Sequence, residues 1–326
     1  MTDFRSNLLE SSNWIDYELL DSGNGRKLER YGIYIFSRPE SQAIWSPALS
    51  DSEWRRAHAV FISSGEESGG HWDFKRKVEE RWKMKYALIP FPFRAERSDS
   101  AVEARTGKGQ EVRNELNFWA MTTPGRHLGV FPEAAVHWDF SADLIKKVKR
   151  PIHVLNLFGY TGLATLAAAA AGAQVTHVDA SKKSVSWARA NQELSGLGDR
   201  PIRWIVEDAL KYVQREARRG VKYDGIILDP PKFGRGPKGE VWDVYKSLRN
   251  LLDSCRSCLS RDPLFVIITL YAVRASGIHL AQALEGMMKN NKGLIESGEL
   301  VTREKSGNRL LSQAVYARWQ AGDLFS

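Results

Sequence analysis

The chain has 326 residues, of which 43% are hydrophobic and 26% are charged, a globular composition long enough for two domains. Its longest apolar runs are shorter than the roughly 20 residues that cross a bilayer, so we predict no membrane contact. The N-terminal residues lack the pattern of a secretion signal, and two cysteines are too few for a disulfide framework, so we expect a cytoplasmic protein.

The positive charge is concentrated in the second part of the chain. Residues 1–125 contain 18 Lys+Arg against 19 Asp+Glu, whereas residues 126–326 contain 29 against 20, which accounts for the net charge of +8. A basic surface can bind nucleic acid through its phosphates, although many basic enzymes bind none. Charge alone therefore leaves both interpretations open.

The first part, residues 1–125, is predicted to form a small β-rich domain. The run "YELLDSGNGRKLERYGIYIFSRP" contains two extended segments joined at residues 22–25, where Asn-Gly favours a tight hairpin. A further run, "KYALIPFPFRAE", contains Pro90 and Pro92, which favour an edge strand or an irregular one. The polar segment 97–115 predicts an exposed loop or linker.

The second part, residues 126–326, is predicted to form an α/β domain. From residue 152, short apolar runs alternate with helical stretches, which is typical of a parallel sheet covered by helices on both faces. The last two extended runs, "LIESGELVT" and "SQAVYARWQ", predict an antiparallel hairpin at the sheet edge. The five strands before them are predicted at about 152–158, 174–179, 202–206, 224–229 and 264–270.

A glycine turn follows the first predicted strand of this domain. In "VLNLFGYTG", Gly159 and Gly162 precede a helix, so backbone N–H groups and the helix N-terminus can meet a polar ligand whose approach the glycines leave open. Asp179 ends the next strand 20 residues after Gly159, where a carboxylate can accept both hydroxyls of a ribose. The alternative is that the glycines only form the turn and Asp179 caps a helix. The combined spacing favours a nucleoside-containing cofactor.

The residues around this turn indicate which cofactor it is. Phe158 stands where a further glycine would help a pyrophosphate to approach, so a dinucleotide is not expected. Glu207 and Asp208 follow the third strand and could accept from an adenine amino group, but Asp208 could equally cap the next helix. A ligand with adenine, ribose and a charged amino-acid tail fits this pattern better.

The fourth strand ends in "ILDPPKFGRG", which indicates an acceptor site. Asp229 is followed by Pro230 and Pro231, a rigid turn that would direct a carboxylate and a proline carbonyl towards a planar base. The same loop offers phosphate contacts and a stacking surface through Lys232, Phe233, Arg235 and Lys238. Each residue alone has a structural explanation, since prolines end strands and loop lysines are usually solvated. The combination at one sheet edge favours a functional interpretation.

These motifs resemble the class I methyltransferases that use S-adenosylmethionine, and among them the bacterial large-subunit ribosomal RNA methyltransferases. The resemblance covers about residues 125–326 and depends on "HLGVFPEAAVHW", "VLNLFGYTG", "VTHVDAS", "EDA" and "DPPKF". It implies a Rossmann-like seven-stranded sheet with a terminal antiparallel hairpin. It also implies S-adenosylmethionine as the cofactor and RNA, ribosomal RNA first, as the substrate.

The resemblance further implies the site residues. The residues expected at the cofactor are Phe131, Glu133, Asn156, Phe158, Gly159, Gly162, Asp179, Ser181, Asp208 and Asp229. The residues expected at the acceptor are Asp229, Pro230, Pro231 and Lys232. Asp229 would orient the acceptor or take its proton, Lys232 would steer phosphate or polarise a carbonyl, and Tyr271 could close the pocket. No metal is expected, because His127, His137 and His177 have no second ligand at metal spacing.

One departure from the family pattern bears on the mechanism. Cytosine-C5 members use a cysteine just after the fifth strand, but this chain has "IITLYAVRAS" there. Its only thiols, Cys255 and Cys258, are predicted on a helix away from the crevice. We therefore predict methylation of a base without a cysteine nucleophile.

Two other functions stay open at this point. A nicotinamide-dependent oxidoreductase shares the sheet, the turn and the acid, but it needs hydride-handling residues that the sequence does not contain. A non-catalytic RNA-binding protein would not need the complete set of glycines and acids.

Overall fold

The computed structural model describes residues 6–64, 69–89 and 115–322. The first part contains β1 (Ser6–Glu10), β2 (Tyr17–Gly23), β3 (Arg26–Tyr31), β4 (Tyr34–Pro39), α1 (Asp51–Trp54), β5 (Ala59–Ser63), β6 (Gly70–Phe74), β7 (Trp82–Ala87) and β8 (Glu115–Ala120). The second part opens with a 3-10 turn at Pro132–Ala134. It continues with α2 (Ala135–Lys147), β9 (His153–Leu157), α3 (Leu163–Ala170), β10 (Gln174–Asp179), α4 (Lys182–Leu194), β11 (Ile202–Val206), α5 (Ala209–Arg218), β12 (Gly225–Leu228), β13 (Phe233–Arg235), β14 (Val241–Asp243), α6 (Val244–Ser257), β15 (Phe265–Leu270), α7 (Gly277–Met288), β16 (Gly293–Arg303) and β17 (Leu310–Ala321).

The β-rich first part is confirmed. Strands β2 to β6 form a five-stranded sheet, and β7 pairs with β8 in a separate antiparallel ribbon. The predicted hairpin joins β2 to β3 through Asn24 and Gly25, whose φ angles of 50° and 72° are those of a tight turn. Pro90, Pro92 and the predicted linker up to residue 114 lie outside the described residues. The division at residue 125 stays a prediction.

The second part forms the predicted α/β sheet, with one more strand than expected. The order is β1-β16-β17-β15-β12-β9-β10-β11, in which β15, β12, β9, β10 and β11 are parallel. The terminal hairpin is confirmed, since β17 runs antiparallel to both β15 and β16. The sheet has eight strands rather than seven because β1 pairs in parallel with β16. The five predicted central strands are all present.

Helices cover both faces of this sheet, as its continuous apolar strands predict. On β12, Ile226 and Leu228 pack on one face in a cluster with Leu251 of α6. Ile227 points to the opposite face and packs in a cluster with Phe140 of α2. Burying each of these side chains contributes about 1.5–3 kcal/mol. No helix in the described ranges is both long and apolar enough to cross a bilayer.

The two parts share one apolar cluster. Tyr31 and Phe36 of the five-stranded sheet are fully buried together with Phe118 of β8, Trp138 of α2 and Leu166 of α3. This packing holds the five-stranded sheet beside the carboxyl ends of the parallel strands, where it forms one wall of the cavity described next.

Candidate functional site

A cavity of about 1100 Å³ opens at the carboxyl edge of the parallel strands. Its volume slightly exceeds the usual range for ligand sites, about 300–1000 Å³, so it could hold a cofactor and part of an acceptor. Its lining residues include Lys27, Arg38, Glu40, His127, Phe131, Glu133, Asn156, Phe158, Gly159, Tyr160, Asp179, Ser181, Asp208, Asp229, Pro231, Lys232, Tyr271 and Gln313. Of the residues predicted from the sequence, Gly162, Glu207, Pro230 and Lys238 are absent from this lining.

The turn needs its two glycines for a different reason from the one that the sequence suggested. A Cβ atom on Gly159 would lie 2.4 Å from the imidazole of His177, and one on Gly162 would lie 2.8 Å from the Cβ of Ala188. Gly162 also has a φ of 86°, which side chains rarely adopt. The glycines therefore leave room for neighbouring protein atoms.

Asp179 is held at the end of β10 by the glycine turn. Its Oδ2 accepts the N–H of Tyr160 at 2.9 Å, and its Oδ1 accepts the N–H of Ser181 at 2.8 Å. Burial raises the pKa of Asp179, while these two hydrogen bonds lower it. The N-cap of α4 is Ser181, whose Oγ accepts from the N–H of Ser184. Each oxygen of Asp179 can still accept one further hydrogen bond from a ligand.

Asn156 is fixed beneath the turn by a chain of hydrogen bonds. Its Nδ2 donates to the Oγ1 of Thr165 at 2.9 Å, and that hydroxyl lies 2.9 Å from Nδ1 of His177. Burial lowers the pKa of His177 to about 3, so its ring is neutral. His177 thus has the structural role that was predicted for it.

The two acids after β11 differ in position. The Oδ1 of Asp208 accepts the N–H of Lys211 at 2.9 Å and caps α5, while Asp208 also lines the cavity. Glu207 forms an ion pair with Arg215 and is outside the lining. The capping role left open for Asp208 is therefore present, and the proposed adenine contact of Glu207 has no geometric support.

Three side-chain polar atoms in the cavity wall have no hydrogen-bond partner among the described residues. They are Oδ1 of Asp229, the hydroxyl of Tyr271 and Nε2 of Gln313, and all three are buried. Burial, with a further contribution from the charge of Glu133, raises the pKa of Asp229 to about 8. Burial also raises the pKa of Tyr271, whose ring packs 4.9 Å from that of Phe131. Buried polar atoms without a hydrogen-bond partner indicate a ligand that would provide one. These residues therefore fit a bound cofactor and acceptor.

The proline turn is held by a contact with the hairpin that follows it. The carbonyl of Pro231 accepts a 2.6 Å hydrogen bond from Nε1 of Trp242, which uses one of its two acceptor positions. Trp242 in turn packs 4.9 Å from Phe158. Pro230 is buried behind the cavity wall. The turn is therefore braced by protein contacts that hold Asp229 in place.

The loop after the prolines forms a small hairpin at the cavity mouth. Strands β13 and β14 pair antiparallel, and the ring of Phe233 at the start of β13 is 54% exposed. Nζ of Lys232 lies 5.4 Å from the centroid of that ring. Arg235 and Lys238 are exposed on the same hairpin. Aromatic and basic side chains thus share the outer surface of the site.

The first part of the chain contributes residues to the cavity that the sequence motifs did not predict. Arg38 of β4 forms a buried ion pair with Glu29 at 2.7 Å, and Lys27 of β3 lies 3.3 Å from Glu40. Burial alone would raise the pKa of Glu29, but the charges of Arg38 and Lys27 lower it to about 2. The sequence motifs gave no signal for these residues, because the strand ends with which they share the cavity are distant in sequence.

The two cysteines lie away from the cavity, as predicted, and of the histidines His127 lines it. Cys255 and Cys258 are free and fully buried in the core beside α5 and α7. Burial lowers the pKa of both His127 and His137. Within the described ranges, no group of three or more His, Cys, Asp or Glu side chains could hold a metal ion.

Comparison with known proteins agrees with this geometry. Residues 94–260 match the family model described as S-adenosylmethionine-dependent methyltransferase. The solved structure of the SAM-dependent methyltransferase from Agrobacterium tumefaciens is 44% identical, with a TM-score of 0.83, and the match covers 96% of this chain and 93% of that one.

Two curated relatives match parts of the chain. The ribosomal RNA large subunit methyltransferase K/L of Methylococcus capsulatus is 42% identical over 128 residues, 39% of this chain and 17% of that protein. The ribosomal RNA large subunit methyltransferase K of Neisseria meningitidis is 34% identical over 110 residues, 33% of this chain and 31% of that protein. The match therefore spans less than a third of either relative. Together, the family match across half of the sequence, the shared fold and the cavity show that this chain belongs to the S-adenosylmethionine-dependent methyltransferase family.

Proposed function

We propose that this protein transfers a methyl group from S-adenosylmethionine to a base of RNA, with ribosomal RNA as the first candidate, in the cytoplasm. The observation that carries the proposal is one cavity that joins Asp179 to the unpaired Oδ1 of Asp229 and opens beneath an aromatic, basic hairpin. The names of the two curated relatives support RNA as the acceptor. A nicotinamide-dependent oxidoreductase is not favoured, because the chain belongs to a methyltransferase family.

The cofactor would be held by the first half of the cavity. Asp179 would accept from the ribose hydroxyls, and Asp208 would face the adenine. The amino-acid part would be held by residues at the glycine turn and the lead-in segment: Phe131, Glu133, Asn156, Phe158 and Gly159. Gly162, which is outside the lining, would only shape the turn before α3. Ser181, the cap of α4, would help to fix the ribose side. When bound, S-adenosylmethionine supplies an electrophilic methyl group on sulfur.

The acceptor would be held by Asp229 and its loop. The carboxyl of Asp229 would orient a ring nitrogen or an amino group of the base and accept the proton that this nitrogen loses. The new bond joins that nitrogen to the methyl carbon, the carbon–sulfur bond breaks, and its electron pair stays on sulfur. Pro230 and Pro231 would keep the carboxyl in place, and Lys232 would contact phosphate or a base carbonyl.

The proposal is tested by incubating the protein with radiolabelled S-adenosylmethionine and separated fractions of cellular RNA, protein and small molecules. We expect label in RNA, and digestion to nucleosides should place it on a base. Label confined to the protein or small-molecule fractions would contradict RNA as the acceptor. RNA binding without label in any fraction would favour the non-catalytic alternative.

Reversing the charge of the hairpin should weaken the salt dependence of RNA methylation. Arg235→Glu with Lys238→Glu removes two cations that we expect at phosphates, so the slope of log kcat/KM against log salt should become shallower by roughly 1–2. The measurement is initial rate against salt concentration. The matched control is Arg218→Glu with Lys289→Glu, which reverses the same charge on exposed sites away from the cavity. Equal slopes for both variants would show that the hairpin does not contact RNA.

Removing both thiols should leave methyl transfer largely intact. Cys255 and Cys258 are fully buried in the core, so neither can reach a base, and Cys255→Ser with Cys258→Ser should keep kcat/KM within about tenfold, or about 1.4 kcal/mol in the barrier. Rates are compared per folded protein, because buried hydroxyl groups cost stability. A fall in kcat/KM of several orders of magnitude in the folded variant would indicate a cysteine nucleophile. Covalent trapping of the wild type by RNA containing 5-fluorocytosine would do the same.

A further inference from the structure

Strand β17 contains a bulge at the edge of the cavity. Ser312 pairs with Val301 and Ala314 pairs with Leu300, so Gln313 between them has no opposite residue on β16. A bulge of this kind redirects the extra side chain, and bulges are common beside binding sites. Gln313 lines the cavity.

The amide of Gln313 has a defined orientation. Nζ of Lys27 lies 2.8 Å from its Oε1. An ammonium group only donates hydrogen bonds, so the amide oxygen must face Lys27 and the NH2 group must face away from it. That Nε2 atom is buried and has no hydrogen-bond partner among the described residues. Nε2 of Gln313 is therefore a fixed donor that can bind an acceptor atom of a ligand.

Lys27 is itself held in place by the five-stranded sheet. Its Nζ lies 3.3 Å from the carboxylate of Glu40 and 3.8 Å from that of Glu29. These acids compensate its charge, so Lys27 serves to fix the amide and is not an isolated cation for the ligand. A preorganised donor of this kind binds its partner without a loss of side-chain freedom.

The position of Gln313 in the sheet indicates which ligand it meets. Val315 pairs with Leu270 at the end of β15, so Gln313 lies beyond that end, beside the segment that contains Tyr271. Strand β12, which leads to Asp229, is the other neighbour of β15. Most residues proposed for the cofactor lie on or after β9, β10 and β11, farther across the sheet, and Phe131 and Glu133 of the lead-in segment are the exceptions. Gln313 is therefore on the acceptor side of the cavity.

We propose that Gln313 is a specificity-determining residue, which donates a hydrogen bond from Nε2 to a carbonyl oxygen or an unprotonated ring nitrogen of the target base. Lys27 is the positioning residue that sets the direction of the amide. This inference rests on the proposed function. A base would then be recognised at two points, by a donor at Gln313 and by the carboxyl of Asp229.

The test uses Gln313→Glu in the full-length protein, which replaces the donor by an acceptor of nearly the same shape. Lys27 can pair with the new carboxylate, so the fold should be retained. We expect kcat/KM for RNA methylation to fall about 10- to 100-fold, with the Kd for S-adenosylmethionine by calorimetry unchanged within about threefold. Gln313→Leu, which removes the donor without adding charge, should act in the same direction.

The matched control is Gln320→Glu, on the same strand at the opposite end of the sheet. It should leave both measurements unchanged. Wild-type rates in both Gln313 variants would overturn the inference while leaving the proposed function intact. A fall in cofactor affinity equal to the fall in rate would overturn it too, since the donor would then serve the cofactor. A wild type that labels no RNA base would overturn both the proposed function and this inference.

Discussion

Replacing Asp229 by asparagine is expected to lower kcat/KM for RNA methylation by about 10²–10⁴-fold, the usual contribution of a proton acceptor. The asparagine keeps the shape of the side chain and can still orient the base, but it cannot take a proton at neutral pH. Initial rates with labelled S-adenosylmethionine measure the effect. Asp199→Asn, the same change at an exposed site, is the control. Wild-type kcat/KM in Asp229→Asn would show that Asp229 is not the proton acceptor.

The pH dependence provides a second measurement of the same role. Because burial raises the pKa of Asp229 to about 8, its carboxylate form increases as the pH rises through this value. The pH profile of kcat/KM reports groups of the free enzyme, so kcat/KM should rise up to about pH 8 and then level. Asp229→Asn should lose this inflection. A profile that falls over the same range would indicate that the protonated acid is the active form.

Thermal stability should respond to this carboxyl in a defined direction. The pKa of Asp229 is raised by folding, from 3.8 to about 8, so its contribution to stability is present at low pH and is lost as the pH rises between these values. Asparagine has no charge to bury. The Tm of Asp229→Asn should therefore exceed that of the wild type by a margin that grows from about pH 4 to pH 8. A constant difference across this range would contradict the raised pKa.

Replacing Asp179 by alanine is expected to weaken S-adenosylmethionine binding by about 10²–10⁴-fold. The change removes two charge-assisted hydrogen bonds to the ribose, each worth about 1.5–3 kcal/mol. It also leaves the N–H groups of Tyr160 and Ser181 without their acceptor, which loosens the glycine turn. Calorimetry with S-adenosylmethionine and with its demethylated product measures both losses together.

Two further variants separate these contributions. Asp179→Asn keeps one carbonyl acceptor and the shape of the side chain, so it should bind the cofactor with an affinity between those of the wild type and Asp179→Ala. Asp199→Ala, at an exposed site outside the cavity, should bind as the wild type does. If Asp179→Ala binds S-adenosylmethionine as tightly as the wild type does, Asp179 does not contact the ribose.

The parallel sheet was predictable because its signal is local. Each apolar run between residues 152 and 270 is bounded by turn residues, and the motifs at the strand ends fall at one edge whatever the helices between them do. Many of the residues that line the cavity from these ends were therefore predicted. Gly162 and Pro230 were predicted too, but they lie outside the lining.

The remaining parts of the site depend on contacts that no local pattern contains. Lys27 and Gln313 are separated by 286 positions in the chain, so only the folded protein shows that one orients the other. The hydrogen bond to the Pro231 carbonyl likewise depends on Trp242, which reaches it only because the loop turns back as a hairpin. The reason for the glycines could not be predicted either, since His177 and Ala188 approach them from other elements.

The parallel pairing of β1 with β16 has a consequence for the order in which the protein folds. Asn7 donates to Glu296 across a separation of 289 positions, so β1 has no partner until almost the whole chain has been synthesised. Contacts this distant in sequence make folding slow, because a long loop must close before they form. Until then, β16 would be an open sheet edge, and such edges pair with other chains. We therefore expect β1 to dock late in folding and to cover the edge of β16, through which incompletely folded molecules could otherwise pair.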